Sequence, residues 1–311
     1  MKYAKKIWLV LNLVCITVIP VFFLLSKNFL VESANKHVIG ICYSDFSDEY
    51  QRVLNDSIYP TVNERGDILY YRDAKMNQSR QNDQITELIN KGCELIILIP
   101  VNENVEDGIK YAKEQGVYIV TVDRMLRDET EANLRVFSDN YSSGRDLAKY
   151  LAVNRSAGNV LLICKKDEES VNVGAAGFED YISKLKNNNF KIEGTVYTDG
   201  TKGSLKEQLK KIKVEDIDTV FCVSDDLAKW VEQELGNVYI LSIGGSPCGK
   251  QMVADKKIAA TVNQFPSTMG DEAVTGAYNI LDGNYEDRTL IVPSKIITIN
   301  TVDSHNMDKW E

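Results

Sequence analysis

GCELIILIPVNENVEDGIKYAKEQGVYIVTVDR, residues 92–124, decides the fold. ELIILIP (94–100) and VYIVTVD (117–123) are short, rich in Ile and Val, and apolar on both faces. Such runs suit central strands of a parallel sheet that helices cover on either side. Between them, 105–115 reads as a helix. Gly92 and Gly116 stand just past helix ends, where a left-handed residue is favoured. Strand, helix, strand at this spacing is one parallel crossover unit.

The same alternation extends both ways. Further strand-like runs are 38–44, 67–71, 135–138, 159–164, 190–197, 218–224, 238–244 and 259–264. Helical stretches lie at 49–65, 78–91, 143–153, 171–187, 205–213, 225–235 and 267–281, and Ile85, Leu88 and Ile89 form an i, i+3, i+4 stripe. About ten strands are too many for one small sheet. The pattern therefore predicts an α/β protein of two doubly wound Rossmann-like lobes, with ligand bound outside the carboxyl ends of the strands in the crevice between them.

Composition narrows the function. The 311 residues are 44% hydrophobic and 26% charged, with 36 Lys and Arg against 45 Asp and Glu, a net charge of −9. That balance argues against a nucleic-acid partner. The two histidines, His37 and His305, leave no His-based triad or multi-His metal site. Cys42, Cys93, Cys164 and Cys222 sit inside apolar runs and read as small buried hydrophobes. No phosphate-loop, dinucleotide, nucleophile-elbow, zinc or calcium motif occurs, so no cofactor and no metal are expected.

Lys2, Lys5 and Lys6 precede an uncharged run at 7–25. Crossing a bilayer takes about 20 apolar residues. The reading is a cytoplasmic stub, a single transmembrane helix and a tether within 1–36, with everything beyond about Ser26 outside the cell. The alternative is a signal cleaved before Ala34, which releases a secreted form.

Polar clusters fall at predicted carboxyl ends of strands: Ser44-Asp45, Asn102, Asp123-Arg124, Ser224-Asp225-Asp226 and Asn263-Gln264. Carboxylate, guanidinium and amide groups pair with the hydroxyls of a neutral polyol. Helix capping competes with that role, and for Asp45 and Asn102 it is the preferred reading.

The landmarks VIGICYSDFSDEY, ELIILIPVN, VYIVTVDR, FSDNYSSGRDLAKYL, TVFCVSDDLA, LSIGGSP and KIAATVNQFPSTMG come in an order and spacing that resemble the type I periplasmic sugar-binding proteins, the ribose-binding-protein family, over 38–298. The resemblance implies a three-strand hinge crossed near Asn140, Gln264 and Thr289. Lobe one is then 37–139 plus 265–288, and lobe two 140–264 plus 289–311. It implies ligand contacts at Ser44, Asp48, Tyr50, Asp123, Arg124 and Gln264. Gln51 stands where the family has a second stacking aromatic. In lobe two, Gly174, Ser224 and Gly244 stand where the family has Arg, Asn and Asp. Ser224 is kept as a candidate contact at its position, and Asn172, Asp225 or Asp226 are the substitutes.

The function implied is a membrane-anchored, extracellular, non-enzymatic receptor for a small sugar-like ligand, a monosaccharide. It would present the ligand to an ABC permease or to a sensor kinase ectodomain. An enzyme in the same cleft could use Asp123 as a base, but no second acid and no nucleophile motif accompany it. The other reading is a degenerate binding domain, acting as a partner scaffold or taking a non-sugar ligand such as an autoinducer.

Overall fold

The computed structural model describes residues 36–311 apart from 125, 127–131, 167, 187–188 and 285–287. The expected membrane span lies outside the described residues. Among those described, no helix is long and apolar enough to cross a membrane.

The first sheet begins with β1 (Val38–Tyr43), β2 (Ile68–Asp73), β3 (Leu95–Leu98), β4 (Tyr118–Val122) and β5 (Leu134–Ser138). Its order is β2-β1-β3-β4-β5, continued at the far edge by β11 (Arg288–Val292), and every pairing is parallel. Side chains on successive residues of a strand point to opposite faces. Ile41, Leu95, Ile97 and Val120 therefore pack with α1 (Glu49–Arg65) and the late helix α9 (Pro266–Leu281). Cys42, Ile96, Leu98 and Ile119 pack on the other face with α2 (Gln78–Asn90) and α3 (Glu106–Glu114). Each fully buried Ile or Leu contributes about 1.5–3 kcal/mol. Gly66 ends α1 in the left-handed conformation, φ 73°, as its position predicts.

The second sheet runs β7 (Phe190–Thr198), β6 (Gly158–Lys165), β8 (Thr219–Cys222), β9 (Tyr239–Gly244), β10 (Ala260–Asn263) and β12 (Lys295–Thr298). Its helices are α4 (Asn140–Asn154), α5 (Glu169–Ser183), α6 (Lys202–Leu209), α7 (Asp225–Leu235) and α8 (Pro247–Ala254). All pairings are parallel except β10 with β12, which is antiparallel.

The strands β11 and β12 go beyond the ten expected. They are short edge strands, and β11 is mostly exposed, so neither carries a long apolar run. Because β11 pairs with β5, residues 289–292 belong to the first sheet, and the chain crosses between the sheets at 293–294 instead of at Thr289.

The other two crossings run from β5 into α4 and from β10 into α9. The three are tied together. Gln264 Nε2 donates to Asn140 Oδ1 at 2.7 Å, and Ser143 Oγ donates to Ser294 Oγ at 2.8 Å. Cys42, Cys93, Cys164 and Cys222 are free and buried, and burial pushes the Cys42 thiol up to about 12. These are core residues, not nucleophiles.

Candidate functional site: a polar cavity between the lobes

The carboxyl ends of the strands in the two sheets face a cavity of about 220 Å³. A cavity of roughly 150 Å³ holds one benzene ring, so this one is scaled to a single small ring and its substituents. Asp48, Tyr50, Asp123, Arg124 and Gln264 line it from the first lobe and the hinge. Lys165, Glu168, Ser224 and Asp226 line it from the second.

Asp123 sits at the mouth of β4 with φ 75°, closing a three-residue turn in which Arg124 N donates to Val122 O at 3.0 Å. A non-glycine residue held there is uncommon and costs about 1–3 kcal/mol, a strain typical of functional sites. The turn ends the apolar strand abruptly and aims adjacent opposite charges at the cavity. Tyr50 Oη donates to Asp123 Oδ1 at 3.1 Å. Burial holds the Asp123 carboxyl above its ordinary 3.8, against the pull of Arg124 and the Tyr50 hydrogen bond.

Arg124 reaches both lobes. Its Nη1 donates to Val101 O at 2.9 Å, on a loop that Gln81 fixes by donating to Ile99 O and accepting from Val101 N. Its Nη2 donates to Glu168 Oε2 at 3.1 Å, an ion pair across the cleft with side chains 11% and 15% exposed. Arg124 Nε is buried without a partner among the described residues. Glu168 precedes α5 without capping it, so its carboxylate is committed to the cleft.

Asp48 caps α1 by accepting from Tyr50 N at 3.1 Å. Burial raises its carboxyl, while Lys165 lowers it and Asp226 raises it further. Capping and cavity lining are therefore both true of Asp48. Asn102 caps the short 3-10 turn that follows β3, accepting from Asn104 N at 2.9 Å, as preferred. Ser224 caps α7, accepting from Leu227 N at 3.4 Å, and still lines the cavity.

Three expected site residues have other work. Ser44 is fully buried, does not line the cavity, and accepts from Gln51 Nε2 at 2.5 Å. Gln51 Oε1 in turn accepts from Asp45 N at 3.1 Å, so the amide at the lost aromatic position braces the end of β1. Asn172 spends both ends of its amide on Lys165, accepting from N at 2.9 Å and donating to O at 2.6 Å.

Asp225 touches the cavity, but its carboxylate is already saturated. Ser242 Oγ and Thr261 Oγ1 donate to Oδ1, each at 2.6 Å, and Ser246 N and Oγ donate to Oδ2 at 2.8 and 2.7 Å. Burial nonetheless holds its carboxyl above 3.8, these hydrogen bonds only partly offsetting it. At Gly174, where the resemblance would place an arginine, a larger side chain would require Ile243 to shift. A Cβ on Gly174 would collide with Ile243, and one on Gly144 of α4 with the Gly174 carbonyl oxygen.

Lys165, Glu168, Asn140 and Trp310 line the cavity and were absent from the residues expected there. Lys165 and Glu168 bound the strand-to-helix loop after β6, a position any parallel crossover directs toward the cleft. Among the described residues, no group of three or more His, Cys, Asp or Glu is placed to hold a metal ion.

Two parallel lobes, three linked crossings and a ring-sized polar cavity between strand ends define a two-lobe binding protein. Residues 39–285 match the model of the periplasmic binding protein domain, and the chain belongs to that family. It is a solute-binding protein and not an enzyme.

It is 22% identical over 281 residues to the ribose import binding protein of Salmonella typhimurium, covering 88% of this chain and 94% of that one. Two solved structures share the fold. One is a solute-binding protein of an ABC transporter from Bacillus halodurans with bound myo-inositol, at 19% identity and TM-score 0.77, covering 87% of this chain and 97% of that one. The other, from Burkholderia graminis in complex with D-arabinose, has 18% identity and TM-score 0.78, covering 88% and 98%.

Proposed function

We propose that this protein is a receptor for a monosaccharide or a similar cyclic polyol, held at Asp48, Tyr50, Asp123, Arg124, Ser224 and Gln264. Arg124 carries the reading. Its guanidinium is nearly buried on the wall of a ring-sized cavity, and its Nε has no acceptor among the described residues. A buried unpaired donor costs about 1–3 kcal/mol, which a ligand hydroxyl oxygen recovers. Asp123 beside it offers an acceptor for the hydroxyl hydrogen. The ligands named for the relatives, ribose, myo-inositol and D-arabinose, are polyhydroxylated and of this size.

Family membership supports delivery of the ligand to an ABC permease. The uncharged run at 7–25 supports an anchor that keeps the globular part outside the cell. An anchored receptor gains effective concentration toward a neighbouring membrane protein, which suits either a permease or a sensor kinase ectodomain. A second reading, a domain that binds no sugar, draws support from Asn172 and Asp225, whose polar atoms are spent inside lobe two.

A thermal-shift screen of the full chain in detergent against pentoses, hexoses and inositols decides between them. At a hundred times its dissociation constant a ligand stabilises by about 2.7 kcal/mol. At roughly 2–4 °C per kcal/mol that is several degrees. A shift with one sugar, abolished in Asp123→Ala, establishes the receptor. No shift with any sugar sinks it and leaves the non-sugar ligand or the scaffold.

A further inference from the structure

After β12 the chain turns back along the second lobe and then crosses to the first. Lys250, fully buried, donates from Nζ to Lys309 O at 2.6 Å. Glu311 Oε2 accepts from Asn263 Nδ2 at 3.1 Å and pairs with His305 Nδ1 at 2.6 Å, while Oε1 accepts from Asn306 N at 3.0 Å. Between these anchors, Trp310 projects into the first lobe. Its ring meets Tyr50 edge to face, with centroids 5.2 Å apart and planes at 84°. It packs on the same core as Tyr50 and lines the interlobe cavity, and its Nε1 is buried with no partner among the described residues.

Building on the sugar-receptor reading, we propose that Trp310 is a ligand-contacting, specificity-determining residue of this cavity. Two independent features point to a ligand. An aromatic face is present in a cleft whose expected second stacking position is the amide Gln51, which is tied to Ser44 and Asp45. The indole N–H of this cavity-lining side chain is a second buried donor, like Arg124 Nε, without a partner among the described residues. An indole covers the apolar C–H face of a sugar ring and gives one hydrogen bond at its edge. The ligand class is thus a cyclic polyol with one face free of axial hydroxyls. Aromatic contact and N–H together discriminate it from its epimers.

The test uses the full chain carrying Trp8→Phe and Trp230→Phe, so that Trp310 alone emits, titrated with the same sugar panel by fluorescence and calorimetry. The expected result is a saturable change in Trp310 emission with the sugar that calorimetry detects. Trp310→Ala should weaken that sugar at least tenfold and collapse its preference over the nearest epimer. Trp310→Phe, which keeps a ring and loses the N–H, should fall between.

A residue that merely latches the lobes would shift every sugar by one factor and leave the ratio of dissociation constants unchanged, and that outcome overturns the proposal. Calorimetric binding with unaltered emission and a Trp310→Ala affinity within twofold overturns it too, while the receptor reading stands. Binding of no sugar by calorimetry removes both.

Discussion

Asp123 and Asp225 are both carboxylates just past the end of a parallel strand, one in each lobe, and both are held above the ordinary carboxylate value by burial. They differ in what holds them. Asp225 takes four hydrogen bonds from Ser242, Thr261 and Ser246, which lock α7 and α8 to β9 and β10. Among the described residues Asp123 takes one, from Tyr50, on a strained turn at the cavity. The lesson is that position in a crossover makes a group available to a ligand only when its own lobe has not already used its lone pairs.

The largest effect that would break this comparison is on stability. Asp225→Ala leaves several buried donors unpaired, at about 1–3 kcal/mol each. It should lower the unfolding free energy by about 3 kcal/mol or more, a fall of roughly 6–12 °C in Tm. Scanning calorimetry checks it, and a variant with wild-type Tm that has lost its ligand would make Asp225 a contact after all. Arg124→Ala should do the reverse. It should cost about 2–4 kcal/mol of affinity, thirty- to thousandfold in Kd, with a far smaller change in Tm.

The raised carboxyls sharpen the comparison through pH. Asp48, Asp123 and Asp225 each hold a proton in the fold above 3.8. From 3.8 up to the raised values the folded protein therefore binds more protons than the unfolded chain. The stability these protons supply is fully present below 3.8 and is lost as pH rises through the raised values. Each group can contribute a slope of at most about 1.4 kcal/mol per pH unit. Urea unfolding across pH should show that slope flattened in Asp123→Asn and in Asp225→Asn, with Kd disturbed only in the first.

The smallest effect is at Asn172. Asn172→Ala should lose about 1 kcal/mol of stability for its two hydrogen bonds to Lys165. Its ligand affinity should stay within twofold by calorimetry.

The fold was legible because its signal is additive. Runs such as 94–100 and 117–123 are apolar throughout, and each predicts its own strand whatever surrounds it. The exposed edge strands β11 and β12 lack that signal. The site was legible only where local chemistry suffices. Asp123-Arg124 ends an apolar strand with two charges, and the sequence predicts no helix directly after them for them to cap. Ser44, Asn172 and Asp225 look equivalent in sequence, yet their polar atoms are spent on Gln51, Lys165 and Ser242, partners that only the fold brings near. Trp310 lies past the last resemblance to the family, and only its aromatic character in a polar stretch marks it.

The ion pair between Arg124 and Glu168 has a consequence for dose response. On the receptor reading proposed above, Glu168 is a tethered competitor, a carboxylate carried on the opposite wall that pairs with the guanidinium assigned to the ligand. Its local concentration is fixed by the fold and does not dilute. A sugar bound as proposed would share Arg124 with it or displace it, so the apparent affinity would be the intrinsic one reduced by the fraction of molecules in which Arg124 is taken. The chain would thereby carry its own threshold, set by one glutamate and adjustable without altering any group proposed to touch the sugar.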